Sequence, residues 1–315
     1  MRFVYVMDPL ETMHPEKDTT FAFLRAAQRR GHENFHCLLK DLSVDDGRLY
    51  ASTRVATLEA QAPFARYGES HDLALDEVDA VLIRKDPPFD TAYHYATLLL
   101  ELVRGKTFIM NDPRGLRDAN EKLYILHFPE VTPRTFVTAD RTRIRAFVQA
   151  VGGTAVIKPL HLAGGMGVLM LRSDDLNTPS IIDLLTGEGT RSVMVQEFLP
   201  AVREGDKRIL LLDGKPLGGI LRVPKSDDLR ANIHVGGRVK ACTLTPEEER
   251  IIAQIGPKLS AAGLYFVGLD VIGNRVTEIN VTSPTGIQEM GRLNGTTPED
   301  DVIQWLEQKA ASISR

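Results

Sequence analysis

The stretch GLDVIGNRVTEINVTSPTG, residues 268–286, sets two β-branched runs, 267–272 and 276–281, on either side of Gly273 and Asn274. Glycine and asparagine tolerate positive φ, so the pattern predicts a β-hairpin. Glu278 and Asn280 are two residues apart and share one face of their strand. An odd-numbered connection, such as a three-residue Gly-Asn-Arg loop with a bulge, would set Asp270 opposite Glu278 on that face; a two-residue loop would not. Two carboxylates and an amide converging on one spot describe a magnesium site. A D-x7-E-x-N pattern alone is ordinarily a surface hairpin with solvated acids, so the reading depends on what the rest of the chain supplies.

The chain has 315 residues, 43% hydrophobic and 25% charged, enough for two or three domains with cores of their own. A net charge of -4 and a pI near 6.1 argue against sequence-independent affinity for nucleic acid or an anionic membrane. Arg141, Arg143 and Arg145 read as the solvated face of a helix. Cys37 and Cys242 cannot build a disulfide framework and form no C-x-x-C pair, which points to the reducing cytoplasm. The apolar run 3–7 is too short for a signal-peptide core, and no stretch approaches the roughly 20 apolar residues of a membrane span.

The first third alternates strand and helix. Strands are expected at 3–7, 80–84 and 107–111, and helices at 19–30, 93–103 and 116–127, the first capped by Asp18 and stopped by Gly31. That βα pattern predicts a parallel sheet with helices packed on it. No G-x-G-x-x-G follows the first strand, so a dinucleotide site is not indicated. Next come a helix at 140–150, a strand at 154–159, a glycine-rich turn and a strand at 167–171. From 193 onward the chain is strand-rich: 193–198, a hairpin through Asp213-Gly214, 217–223, and a long loop reaching Arg238. A helix to about 262 opens with a capping box, Thr245 at N-cap, Pro246 at N1 and Glu248 at N3.

Further candidates for chemistry lie upstream of the hairpin. Lys158 ends the strand AVIKP and is followed by Ala163-Gly164-Gly165-Met166-Gly167, a loop whose backbone N–H groups can approach phosphates closely. By itself a glycine triplet is equally a plain turn. Lys122, in DANEKL, falls on an expected helix. Gln196-Glu197-Phe198-Leu199-Pro200 closes a strand whose last backbone groups could read a purine edge.

These pieces, in this order, resemble the ATP-grasp superfamily, in which two α+β subdomains hold ATP between them. MDP (7–9), RKDPPFDTAYHYAT (84–97), LRDANEKL (116–123), EGDKR (204–208) and VGLDVIGNRVTEINVTSPTG (267–286) narrow the resemblance to the bacterial glutathione synthetases, over residues 1 to 310. It implies an α/β and α+β fold: an N-terminal parallel α/β (pre-ATP-grasp) domain at 1–120, a central ATP-grasp lid subdomain at 121–200, and a C-terminal ATP-grasp subdomain with the metal site at 201–315. It also implies a homo-oligomer, with a tetramer as the family expectation.

Residue by residue, the resemblance places Lys122 and Lys158 on the ATP phosphates, with Gly164, Gly165 and Gly167 in the loop over them. Gln196, Phe198 and Leu199 would surround the adenine, and Asp206 would hold the ribose. Arg208, Arg222 and Asn232 would lie near the transferred phosphoryl group or the acceptor. Asp270, Glu278 and Asn280 would hold two magnesium ions, with manganese as a substitute. Ser283, Pro284 and Thr285 would help line the peptide and glycine pocket, with Arg84 and Asp86 also near substrate. The loop PKSDDLRANIHVGGR (224–238) would be the lid, closing Arg230 and Arg238 over negative charge. It lacks the glycine run of the best-known member, and Gly286 and Gln288 replace that member's cysteine and arginine.

The implied reaction is ligation of γ-glutamylcysteine to glycine through an acyl phosphate, releasing ADP and phosphate. Other ATP-grasp carboxylate-amine ligases would share the ATP residues and differ in the peptide pocket. A non-catalytic ATP-binding module would not need Asp270, Glu278, Asn280 and Arg222 together. A purely structural oligomer leaves the clustered glycines and lysines unexplained.

Overall fold

The computed structural model describes residues 1–225 and 237–313. Three sheets follow one another along the chain. The first contains β1 (Arg2–Val6), β2 (Glu33–Cys37), β3 (Leu42–Asp45), β4 (Arg48–Leu58), β5 (Ala65–Ala74), β6 (Ala80–Ile83) and β7 (Phe108–Met110). Their order is β3-β4-β2-β1-β6-β7, with β5 paired to β4. β2, β1, β6 and β7 run parallel, and their short, almost wholly buried runs suit strands covered on both faces. The parallel expectation describes this centre. Residues 42–74 add an antiparallel ribbon to it, whose β4 alternates buried and exposed side chains because one face is wet.

α1 (Thr19–Arg29) starts where the Asp18 carboxylate accepts from the Thr20 and Phe21 amides at 2.6 and 3.2 Å. α2 (Thr91–Leu100) is capped in the same way by Asp90. The helix expected over 116–127 is broken. α3 (Pro113–Asp118) ends early, and a 3-10 turn occupies Leu123–His127. The cause is Asn120, whose Oδ1 accepts from the Lys122 and Leu123 amides and starts a new turn. Between the two pieces the backbone reaches the last strand of the third sheet, where the Ile279 amide donates to the Glu121 carbonyl at 3.0 Å.

The second sheet is antiparallel, in the order β10-β9-β11-β8, from β8 (Thr135–Thr138), β9 (Thr154–Pro159), β10 (Leu169–Arg172) and β11 (Val193–Glu197). α4 (Arg141–Ala150) and α5 (Thr178–Thr186) cover it, and Ile144, Val148, Ile157, Leu171, Ile182 and Val195 form a core separate from the others. The third sheet orders β14-β13-β12-β15-β16, from β12 (Asp206–Leu212), β13 (Lys215–Val223), β14 (Arg238–Ala241), β15 (Phe266–Ile272) and β16 (Arg275–Asn280). α6 (Pro246–Ala261) has the expected capping box, Thr245 with Glu248. Glu248 also takes Lys207 Nζ at 2.6 Å.

After the third sheet come α7 (Ile287–Asn294) and α8 (Pro298–Ala311). α8 packs on α1: Val302, Ile303 and Leu306 join the core formed by Phe3, Tyr5 and Phe23. Arg29 meets Asp300 at 2.8 Å and Arg30 meets Glu307 at 2.6 Å along the edge of this contact. Among the described residues no helix is long and apolar enough to cross a membrane.

Candidate active site

The hairpin forms with a turn of Gly273 and Asn274, both at positive φ (54° and 63°). Ile272 faces Arg275 and Val271 faces Val276, so the connection has two residues rather than three. A two-residue turn was expected to put Asp270 and Glu278 out of register. A bulge one step further along restores it, with Asp270 opposite Glu278 and Gly268 opposite Asn280. Thr277 is the extra residue, and its hydroxyl donates to the Asp270 carbonyl at 3.2 Å.

Register then carries the charges across the sheet. Asp206 faces Arg222, and Arg208 faces Asp270, which faces Glu278. Arg208 grips Asp270 through two nitrogens, at 2.5 and 3.0 Å. Arg222 Nη2 reaches Asp206 at 2.6 Å and Asp270 at 3.0 Å. All four are buried. Burial pushes the Asp270 carboxyl up, but Arg208 and Arg222 outweigh it and hold it below the usual carboxylate range. Burial would lower Arg222, and the two carboxylates instead hold it above its ordinary value. Asp206, paired with Arg222, is pushed up to about 6 by burial, against the pull of Arg222 and, less strongly, Arg208, and with Asp270 adding to the rise. Gly268 fits closely here: a Cβ at this position would stand 3.0 Å from both Arg208 Cδ and Pro284 Cβ, so either neighbour would have to give way.

Two lysines arrive from outside this sheet. Lys122, placed on the ATP phosphates by resemblance, is 3% exposed rather than on the open face that a helix through DANEKL would give it. Its Nζ lies 3.8 Å from Glu278 Oε1 and donates to the Leu162 carbonyl at 2.5 Å. Lys158, at the end of β9, is 4.0 Å from the same Glu278 oxygen. Burial lowers the Lys158 pKa, Glu278 pulls it back up, and neighbouring Lys122 lowers it further. Leu162 opens the loop holding Gly164, Gly165 and Gly167, all at positive φ, so Lys122 ties the glycine loop to the acidic hairpin. At Gly167 a Cβ would come within 2.8 Å of the Pro159 ring.

The segment 283–285 is strapped down at three points. Ser283 Oγ donates to Asp86 at 2.5 Å, Arg84 Nη2 donates to the Pro284 carbonyl at 3.2 Å, and Arg208 Nη1 donates to the Thr285 carbonyl at 3.2 Å. Arg84 is buried, donates also to Thr20 Oγ1 at 3.0 Å, and lies over the rings of Phe23 and Phe266. Gln196 is buried and donates to Thr135 Oγ1 at 3.1 Å, while Phe198 and Leu199 are half-buried. Arg238 is exposed on the edge strand β14. Arg230, Asn232 and most of the expected lid lie outside the described residues.

Residues 1–117 match the family description "Prokaryotic glutathione synthetase, N-terminal domain", and residues 121–295 match "Prokaryotic glutathione synthetase, ATP-grasp domain". The chain belongs to the prokaryotic glutathione synthetases. It is 47% identical over 313 residues to a glutathione synthetase of Gloeobacter violaceus, covering 97% of this chain and 96% of the relative. It is 45% identical over 320 residues to a glutathione synthetase of Synechocystis, covering 98% and 100%. The fold also resembles a crystal structure of D-cycloserine synthetase DcsG (TM-score 0.64, 16% identity, all of both chains). A similar likeness holds to the ATP-grasp ligase PsnB complexed with minimal precursor, Mg and ADP (TM-score 0.64, 20% identity, 98% and 97% covered).

Two further residues, not singled out by the sequence, stand at this candidate site of a prokaryotic glutathione synthetase. Glu121, next to Lys122, is partly buried beside the acidic hairpin, and Thr282 donates to its Oε1 at 2.9 Å. The word NEKL holds both Glu121 and Lys122, but a helical reading of it turns the acid to solvent. Only the break at Asn120 brings it inward.

Proposed function

We propose that this chain joins γ-glutamylcysteine to glycine with ATP, releasing ADP and phosphate, through an acyl phosphate. The observation that carries the reading is the meeting of Lys122, Lys158, Glu278 and the Arg208–Asp270–Arg222 cluster, contributed by separate parts of a chain that its synthetase relatives match nearly end to end. A carboxylate and an amine do not condense in water because hydroxide is a poor leaving group. Attack of the cysteinyl carboxylate on the γ-phosphorus expels ADP, and attack of the glycine nitrogen on the acyl carbon then expels phosphate.

Lys122 and Lys158 are assigned to the ATP phosphates under the loop of Gly164, Gly165 and Gly167. Gln196, Phe198 and Leu199 are assigned to the adenine, and Asp206 to the ribose. Arg222 and Arg208, held rigid by two buried carboxylates, offset charge on the transferring phosphoryl and the tetrahedral oxyanion. Ser283, Pro284 and Thr285 line the acceptor side, with Arg84 and Asp86 fixing that strap from behind. Asn232, Arg230 and Arg238 are assigned to the closing loop, which excludes water from the acyl phosphate.

Glu278 and Asn280 fit magnesium, and Asp270, whose two oxygens already take Arg208 and Arg222, has only its remaining lone pairs to add. Asn280 commits its Nδ2 to the Gly268 carbonyl and leaves Oδ1 open among the described residues, and Glu278 meets its lysines at 3.8 and 4.0 Å. Among the described residues no three acidic, histidine or cysteine side chains form a cage, in keeping with an ion that takes most of its ligands from phosphate and water. Held by Asp270, Glu278 and Asn280, two magnesium or manganese ions would neutralise phosphate charge. A cytoplasmic homo-oligomer, a tetramer by family resemblance, completes the proposal.

The test is incubation with ATP, magnesium, γ-glutamylcysteine and glycine, each omitted in turn, following ADP and the product mass. Glutathione from the complete mixture alone supports the reading. ADP release without glycine incorporation would assign another acceptor, and no ADP release would leave a binding module.

A further inference from the structure

Glu121 is the acid at this site with the least to hold it. Its backbone is fixed to β16 through the Ile279 amide, and its Oε1 accepts from Thr282 Oγ1. Oε2 takes no hydrogen bond, and no lysine or arginine nitrogen lies within ion-pair distance of either oxygen, among the described residues. Asp206 and Asp270 by contrast are both bound by arginine. Glu121 is only partly buried, so Oε2 is a carboxylate oxygen that a ligand's donor can take in place of water.

We propose that Glu121 binds the ammonium group of the acceptor amino acid and holds its nitrogen beside the acyl phosphate, which that nitrogen attacks as the free amine after giving one proton to solvent. The inference rests on the reaction proposed above. Both organic substrates carry an ammonium group, and position separates them. Glu121 precedes Lys122, whose Nζ is 3.8 Å from Glu278, and its carboxylate touches Thr282, which precedes the strap 283–285. It therefore stands between the phosphate corner and the acceptor side. The attacking nitrogen must come within about 3–3.5 Å of the acyl carbon. The glutamyl ammonium lies at the far end of its dipeptide, about 8 Å from the reacting carboxylate when extended. Glu278 carries a negative charge nearby and repels Glu121. Burial and that repulsion together raise the Glu121 pKa, against Lys122, the Thr282 hydroxyl and Arg208. An arriving ammonium relieves both effects by a charge-assisted hydrogen bond.

The test uses the full chain and compares the wild type with Glu121→Gln and Glu121→Asp, measuring KM for glycine, γ-glutamylcysteine and ATP, and the magnesium dependence. E121Q keeps an oxygen for Thr282 and loses the charge. Its glycine KM is expected to rise at least about tenfold, with the other three constants within about twofold. E121D keeps the charge and recovers part of the loss, and it serves alone if E121Q does not fold. A glycine KM within twofold of wild type overturns the proposal, as does a rise confined to the dipeptide or a shift in magnesium dependence equal to that for glycine. Wild-type protein that makes no glutathione would instead refute the reaction itself.

Discussion

Glu278→Gln removes one negative charge from the meeting point of two lysines while keeping the side chain's shape. Lys122 and Lys158 lie 3.8 and 4.0 Å from Glu278 Oε1. At such distances each attraction is about 4 kcal/mol for an effective dielectric near 20. The carboxylate is 20% exposed, and solvent screening brings the usable part to about 3–4 kcal/mol for the two together. In the proposed mechanism this charge positions metal and lysines around the transferring phosphoryl, so turnover should fall by about 10²- to 10³-fold. Binding of metal-free ATP should move the other way. Without Glu278 the lysines face the phosphates unopposed, and calorimetric titration in chelator should show affinity equal to or tighter than wild type. The magnesium concentration for half-maximal rate should rise. Near-normal turnover at saturating magnesium, or weaker binding of metal-free ATP, would refute the reasoning.

Arg222→Ala leaves Asp206 buried without its arginine and should reduce kcat far more than it raises the ATP KM; steady-state kinetics that move only KM would remove Arg222 from the transition state. It should also destabilise the fold by about 3–5 kcal/mol in chemical denaturation. Gly268→Ala presses a methyl against Arg208 and Pro284 and should lose about 1–3 kcal/mol of stability, together with activity; an unchanged melting temperature would show that the arginine can move aside. Glu307 is held down at about 2, first by its hydrogen bonds to Arg30 and then, against burial, by His32. Because this folded-state value lies below the ordinary 4.5, the stabilisation is present above about pH 4.5 and is lost as pH falls toward 2. Glu307→Gln should therefore flatten the fall in urea midpoint over that range, and a slope equal to wild type would discount the contact.

The elements legible in the sequence were those whose signals are local. Asp18 and the Thr245–Glu248 box start helices where expected, and β9 spans the expected 154–159. The hairpin of β15 and β16 was visible from its Gly-Asn turn, but its register depends on the bulge at Thr277, which no propensity marks. Strands β3 to β5 escaped notice because RLYASTRVATL interleaves arginine, serine and threonine with its buried residues, so no apolar run announces it. Lys122 was legible only by resemblance: periodicity makes LRDANEKL a helix, and the side chain of Asn120 breaks it. Arg84 was expected near substrate, and its buried contacts with Thr20 and the Pro284 carbonyl come from segments far apart in sequence, beyond the reach of any local pattern.

The packing of α8 against α1 also bears on the order in which the molecule is made. α1 and the strands beneath it leave the ribosome well before α8, yet Val302, Ile303 and Leu306 belong to the same core as Phe3, Tyr5 and Phe23. Until residue 306 has emerged, part of that apolar surface has no cover, and the first sheet must wait for the other two to be synthesised. A nascent chain stalled before α8 would thus present a sticky, incomplete N-terminal layer. Loss of the last two turns of α8 would be felt far away in sequence, as exposure of α1.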